Sequence, residues 1–263
     1  MEKIINIVLK KSVAFTLAEM LVVMGIIGVI SALTIPNLNS STGEKEKIAK
    51  VKKLYQNFND AAIRANAEYG PIQKWFPELN GISGAAVNKK VSDRLLEFMK
   101  VSKDCGVSTS PTACFKDNYK GLDNGDPGMK YYFGESPRTL VLADGTSVML
   151  RVNDPSCYED NSPNGDCAHI IADIDGTSKG PNVEGKDTFY YLLTKQGVEP
   201  FGASGQTFGS DLDTFKSVCF TRGIVCAGWV VEHDNMDYLK ADSTGKCKNS
   251  DITLDLTKNF TCK

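Results

Sequence analysis

The sequence predicts an α+β protein in which a long N-terminal helix, transmembrane in its first half and amphipathic in its second, packs on an antiparallel sheet inside a disulfide-bonded head. Three observations predict it. One uninterrupted apolar run near the start gives way to a stretch whose apolar residues recur every three to four positions. Further on, β-rich runs flank strong turn signals. All eight cysteines lie beyond the apolar run and none forms a C-x-x-C pair, which favours disulfides in an oxidising compartment over a zinc site. With 41% hydrophobic and 24% charged residues in 263, the composition is that of a folded chain.

The apolar run, Phe15 to Ile35, is long enough as a helix, at about 1.5 Å per residue, to cross a bilayer core of roughly 30 Å. Lys10 and Lys11 precede it and should stay cytoplasmic, which sends the rest of the chain outward, in agreement with the cysteines. Lys3, Lys10 and Lys11 against Glu2 give the first fourteen residues a local +2, so the remainder of a chain of net −2 stands near −4. No basic excess points to nucleic acid. Within the run sits one carboxylate, Glu19, and an ionisable group in hydrocarbon costs roughly 2–3 kcal/mol unless something answers it. Gly25, Gly28 and Ala32 leave a small-residue strip where helices could approach closely.

A secretory signal peptide fits poorly, because the small residue Ala14 stands before the apolar run instead of after it. A plain signal anchor gives no reason for Glu19. The order of elements, a short basic leader, Ala14, then "FTLAEMLVVMGIIGVISALTIPNL", resembles the N-terminal signature of type IV pilins and type II secretion pseudopilins. That resemblance covers about 25 residues and implies a pilin-like fold, with residues 1–14 a leader, 15–35 a transmembrane helix, 36–70 its amphipathic continuation and 71–263 an extracytoplasmic head. It implies cleavage by prepilin peptidase between Ala14 and Phe15, N-methylation of Phe15, an assembly role for Glu19 and a kink at Pro36. It also implies other pilin or pseudopilin subunits and an inner-membrane assembly platform as partners. The location implied is the bacterial inner membrane, single-pass, with a cytoplasmic N-terminus and a periplasmic or extracellular head, then the filament. The family prefers Gly before the cut, and this chain has Ala14. Cleavage would expose an α-amine with an ordinary pKa near 8 at the depth of Glu19, so the amine of an incoming subunit can meet the carboxylate of one already packed.

After Pro36, Ile48, Val51, Tyr55, Phe58, Ala62, Ala65 and Tyr69 form one helical stripe, ended by Gly70-Pro71, with a kink or melted turn expected between Pro36 and Gly43. Lys45, Lys47, Lys50, Lys52 and Lys53 read as a solvated face close to membrane headgroups. A second helix is expected over Val91–Val101. "RTLVLADGTSVMLRV" predicts a hairpin turning at Asp144-Gly145. Strands are expected near Ile170–Ile174 and Thr188–Leu193, and "VCAGWVVEHDNMDYLK" is ambiguous between helix and strand, with Trp229 in the core.

Eight cysteines allow 105 pairings; short separations make Cys105–Cys114, Cys157–Cys167, Cys219–Cys226 and Cys247–Cys262 the simplest. Asp173, Asp175, Asn182, Glu184 and Asp187 gather hard oxygen ligands, a candidate Ca²⁺ loop, though Ser178 stands where an EF-hand needs glycine, and the same residue types also simply make turns. No metal ligand set beyond this loop and no other cofactor is predicted. His169 and His233 fall in no catalytic motif, and no nucleophile elbow or phosphate loop is present, so no enzyme is predicted. The readings carried forward are a filament subunit of a secretion pseudopilus, a type IV pilus or a DNA-uptake pilus, minor or lineage-specific, and, as the alternative, an adhesin or ligand-binding module on a pilin-like anchor.

Overall fold

The computed structural model describes residues 16–76, 84–158, 161–209, 211–257 and 262, and for residues 31–42 the backbone alone. Ala14 and Phe15 lie outside the described residues, as do the side chains of Ala32 and Pro36. The chain divides into two units, Met1–Gly43 and Glu44–Lys263. Helix α1, Leu17–Tyr69, runs through both.

In the first unit the helix is unbroken through Pro36, so the expected melted turn between Pro36 and Gly43 is absent. Proline removes one backbone donor, and the rest of the ladder is still hydrogen-bonded there. Every residue from Thr16 to Ile30 is exposed. Among the described residues no helix is long and apolar enough to cross a membrane, the described side chains of the apolar run ending at Ile30.

The second unit is an α+β head whose compact body begins at Glu44, earlier than the expected 71, because the striped half of α1 belongs to its core. Its sheet is a six-stranded antiparallel meander, β1 Val101–Val107, β2 Arg138–Leu142, β3 Ser147–Val152, β4 Ala168–Asp173, β5 Thr188–Thr194 and β6 Gly197–Pro200, each strand paired with its sequence neighbours. The β2–β3 hairpin turns where Asp144-Gly145 predicts it, with Gly145 at φ +88° and the Asp144 carboxylate accepting from Thr146 N–H. Strands β4 and β5 are buried along their whole length because both sheet faces are covered. Alternation puts Tyr191 on one face, where its ring meets Phe58 of α1 at 5.2 Å and its hydroxyl donates to Val51 C=O, while Tyr190 on the other face donates to Glu184.

The buried stripe of α1 is Ile48, Val51, Leu54, Phe58, Ala61, Ala62 and Ala65. Leu54 and Ala61 widen the predicted stripe, and Tyr69 departs from it: it is exposed, beyond the last core turn, with its hydroxyl on Glu97 and the Arg94 guanidinium over its ring. The second helix, α2, spans Gly84–Leu96 instead of Val91–Val101, because Val101 opens edge strand β1. The ambiguous stretch resolves into a helix. α3, Leu212–Arg222, starts on the Asp211 side chain and ends at Gly223, and α4, Cys226–His233, carries Trp229 into the core. α4 crosses close to the chain at Gly202, where a Cβ on Gly228 would meet backbone at 2.1 Å, so only glycine fits there.

All four disulfides join the cysteines that short separation paired: Cys105–Cys114, Cys157–Cys167, Cys219–Cys226 and Cys247–Cys262.

Candidate functional site

The first candidate is the start of α1. Thr16 is its N-cap: Thr16 N–H and Thr16 Oγ1 both donate to Glu19 Oε2 at 2.8 Å, and Glu19 N–H donates back to Thr16 Oγ1 at 3.2 Å. This is a capping box, T-x-x-E, which satisfies two of the donors that a helix start leaves open. Within one chain, then, the Glu19 carboxylate is held against the peptide that follows residue 15, with its side chain exposed. The motif is legible as Thr16-Leu17-Ala18-Glu19, so Glu19, expected as a lone charge, has a local partner. Two turns on, Gly25 and Gly28 have nothing within 4 Å of where a Cβ would stand, so the small-residue strip is open.

The second candidate is the acidic loop. Asp173, Asn182, Glu184 and Asp187 are buried and Asp175 is half-buried. Asp173 accepts from Tyr119 O–H at 2.5 Å and Asp175 N–H at 3.1 Å. Asp187 accepts from Asn182 N–H and Val183 N–H at 2.8 and 2.7 Å. Glu184 accepts from Gly128 N–H and Met129 N–H at 2.8 and 2.9 Å and from Tyr190 O–H, capping the 3-10 helix Gly128–Glu135. Burial pushes Glu184 up to about 7 and Asp173 up to about 6, Asp187 adding repulsion to Asp173; burial also raises Asp187. Asp175 meets the Lys50 and Lys47 ammonium groups at 3.1 and 3.5 Å. The loop therefore directs its carboxylates onto protein donors, with Asn182 Oδ1 and Thr177 Oγ1 left without a partner. Among the described residues no group of three or more acidic, His or Cys side chains is placed to hold a metal ion.

Four of the five lysines expected to form a solvated face, Lys47, Lys50, Lys52 and Lys53, instead meet acids of the head. Besides Lys47 and Lys50 on Asp175, Lys52 meets Asp234 at 2.6 Å and Lys53 meets Asp144 at 3.8 Å, so acidic loop tips of the head receive the helix. Such partly exposed pairs contribute up to about 1 kcal/mol each and set register more than stability.

A third cluster involves His169. His169 Nε2 lies 2.8 Å from Asp166 Oδ2, and Nδ1 lies 3.2 Å from Tyr132 O–H. Asn153 and Asn161 also donate to Asp166 Oδ2, Arg151 reaches Asn153 and Glu135, and the Arg151 guanidinium covers the Tyr132 ring at 4.4 Å. The ring closes on itself inside the head, with His169 and Asp166 buried. It fastens the Cys157–Cys167 loop to β3 and β4. His233 packs on Trp229, ring centroids 4.2 Å apart.

No family model, curated protein or solved structure matches the chain.

Proposed function

We propose that this chain is a pilin-like structural subunit, cut by prepilin peptidase between Ala14 and Phe15 and assembled into a type IV pilus or a type II secretion pseudopilus. The observation that carries the reading is the first helix. From Leu17 to Ile30 its large apolar side chains stand 47 to 82% exposed on every side, an arrangement that is stable only in lipid or among other helices. Residues 15–35 span the inner membrane before assembly, Pro36 is the position for a bend, and helices of neighbouring subunits replace lipid in the fibre. The disulfides fit a head on the oxidising side of that membrane.

Glu19 is the register device of this scheme. The capping box aims its carboxylate at the chain end that cleavage creates, where the α-amine of an adjacent subunit can join Thr16 as a donor. Replacing Glu19 by Val should leave processed protein in the membrane and remove it from sheared filaments, as quantified by immunoblot; normal incorporation overturns the role.

The size of the head beyond the first helix, residues 71–263, favours a minor, tip-type or lineage-specific component, and it also keeps open an adhesin or ligand-binding module on the same anchor. Copy number distinguishes these: a few copies at filament tips with affinity for a ligand mark the binder, and a main constituent of sedimentable fibres marks the structural subunit.

A further inference from the structure

The longest connection in the sheet joins β1 to β2, residues 108–137. A segment of that length with no strand of its own needs fastening. Its middle, residues 119–129, is fastened chiefly to the 173–187 loop. Tyr119 O–H donates to Asp173 Oδ2 at 2.5 Å. Lys120 N–H donates to Asn182 C=O at 3.0 Å, and Lys120 C=O accepts from Glu184 N–H at 2.9 Å. Gly128 N–H and Met129 N–H each take one oxygen of the Glu184 carboxyl, at 2.8 and 2.9 Å. One further bond, Asp123 N–H to Thr221 C=O at 2.9 Å, ties the tip to α3. Three of the fastenings therefore end on two carboxyls.

Those carboxyls are buried without a counter-ion. Asp173, Glu184 and the neighbouring Asp187 are each 0% exposed. The two ammonium groups that form ion pairs with the loop, Lys47 and Lys50, both reach Asp175, and none of the three buried carboxyls is in an ion pair among the described residues. Facing Glu184 are Tyr190 of β5, Tyr132 of the 3-10 helix and the exposed Arg222 of α3, which stays beyond ion-pair distance. Facing Asp173 are Tyr119, Asp175 and Asp187, and facing Asp187 are Asp175 and Lys47. The fastening donors favour the ionised carboxyls, but an unpaired charge out of water costs more than they return. Burial accordingly leads in raising all three, Glu184 to about 7 and Asp173 to about 6. A second observation agrees. Asn182, whose N–H donates to Asp187 Oδ2 at 2.8 Å, has its side-chain Oδ1 buried with no donor, and a protonated carboxyl is a donor where an ionised one is not.

We propose that the β1–β2 connection is a proton-controlled strap, fastened to the head while the buried carboxyls of the 173–187 loop are protonated and released as they ionise. The inference stands apart from the filament reading, since every group in it belongs to the head. Once the strap opens, Asp173 and Glu184 meet water and return to the ordinary carboxylate range near 4. Opening therefore becomes easier as pH rises from about 4 toward the closed values of about 6 and about 7, and levels off above them. Release would uncover Phe115, Tyr119, Met129 and Phe133, all buried in the closed head. The head thus has an apolar surface that it shows at one pH and hides at another.

The test uses the full chain in detergent micelles, with amide hydrogen exchange read by mass spectrometry and corrected for the intrinsic rate at each pH. Protection over 119–129 should fall about tenfold or more between about pH 5 and about pH 7.5. At every pH it should stay about tenfold or more below that of β4 and β5, because the strap opens while the sheet holds. Glu184→Gln, which cannot ionise, should remove most of the fall above about pH 6. Tyr119→Phe, which deletes one fastening and no charge, should lower protection of the strap at every pH and keep the fall. Protection that is flat with pH, or a fall unchanged in Glu184→Gln, overturns the proposal. Equal protection of the strap and of β4 and β5 overturns it too, since the connection then leaves only when the whole head unfolds. The profile of the unaltered chain decides alone if Glu184→Gln fails to fold.

Discussion

The two units of the chain solve opposite problems. From Glu44 onward a core of apolar side chains is enclosed: Trp75, Trp229, Tyr191, Phe58 and Phe215 are essentially inaccessible, and four disulfides close loops of the same unit. From Leu17 to Ile30 the chain is at least as apolar, yet every residue is exposed and the recorded polar side-chain bonds are local, Thr16 with Glu19. The head is a structure that a single chain completes. The first helix is a structure that one chain leaves open, and on the proposed filament reading the difference separates what folding needs from what assembly needs. Large-to-small changes should cost stability in one unit and assembly in the other.

The largest expected effect tests that division in the head. Phe58→Ala removes the ring that meets Tyr191 between α1 and β5 and should cost about 3–5 kcal/mol, read as a large drop in the denaturation midpoint. Ile27→Ala, equally apolar but exposed, should leave that midpoint within about 0.5 kcal/mol of the parent. A comparable loss from Ile27→Ala would erase the distinction.

Next in size is the C-terminal staple. Opening Cys247–Cys262 by a double Ser substitution frees a loop of sequence separation 15 and should cost about 3 kcal/mol by the loop-entropy account, measured by urea denaturation of the head's fluorescence.

A smaller effect follows pH. Glu184 and Asp173 are raised in the folded head, to about 7 and about 6, by burial first of all. Raised carboxylates bind protons more tightly folded than unfolded, so their contribution is fully present below about 4 and is lost as pH rises toward 6 for Asp173 and 7 for Glu184. The melting temperature should therefore fall between pH 5 and about 7.5, and Glu184→Gln should flatten the upper part of that slope. A profile that rises through this window contradicts the burial account. The smallest effect lies at the cap. Thr16→Ala should cost the start of α1 about 1 kcal/mol, seen as faster amide exchange over 17–20 with no change in the head.

Much of the fold is legible because its signals are local. Asp144-Gly145 between β-rich runs can hardly be anything but a hairpin, the 3–4 spacing from Ile48 to Ala65 marks a buried helix face, and short loops between cysteines are the easiest to close. What escaped is set by tertiary context. β1 reads "VSKDCGV", a polar edge strand with two register shifts against β2, and carries no alternation to find. The short strand β6 is held in place by Asn59 of α1, which accepts from Val198 N–H. In the acidic loop, composition shows the carboxylates and hides the amides, tyrosines and lysines that reach them from distant segments. The ring through Arg151, Asn153, Asp166, His169 and Tyr132 is likewise assembled across separate elements. Thr16 is the exception, a local capping signal that stands in the sequence as T-x-x-E beside the charge of Glu19.

The central claim is that residues 1–14 are removed and the open helix begins at Phe15. Intact-mass and N-terminal peptide spectrometry of membrane-extracted protein tests it most directly. The account predicts a chain starting at Phe15 and carrying one methyl group on its α-amine; a chain still starting at Met1, or one cut near Ser31, contradicts it.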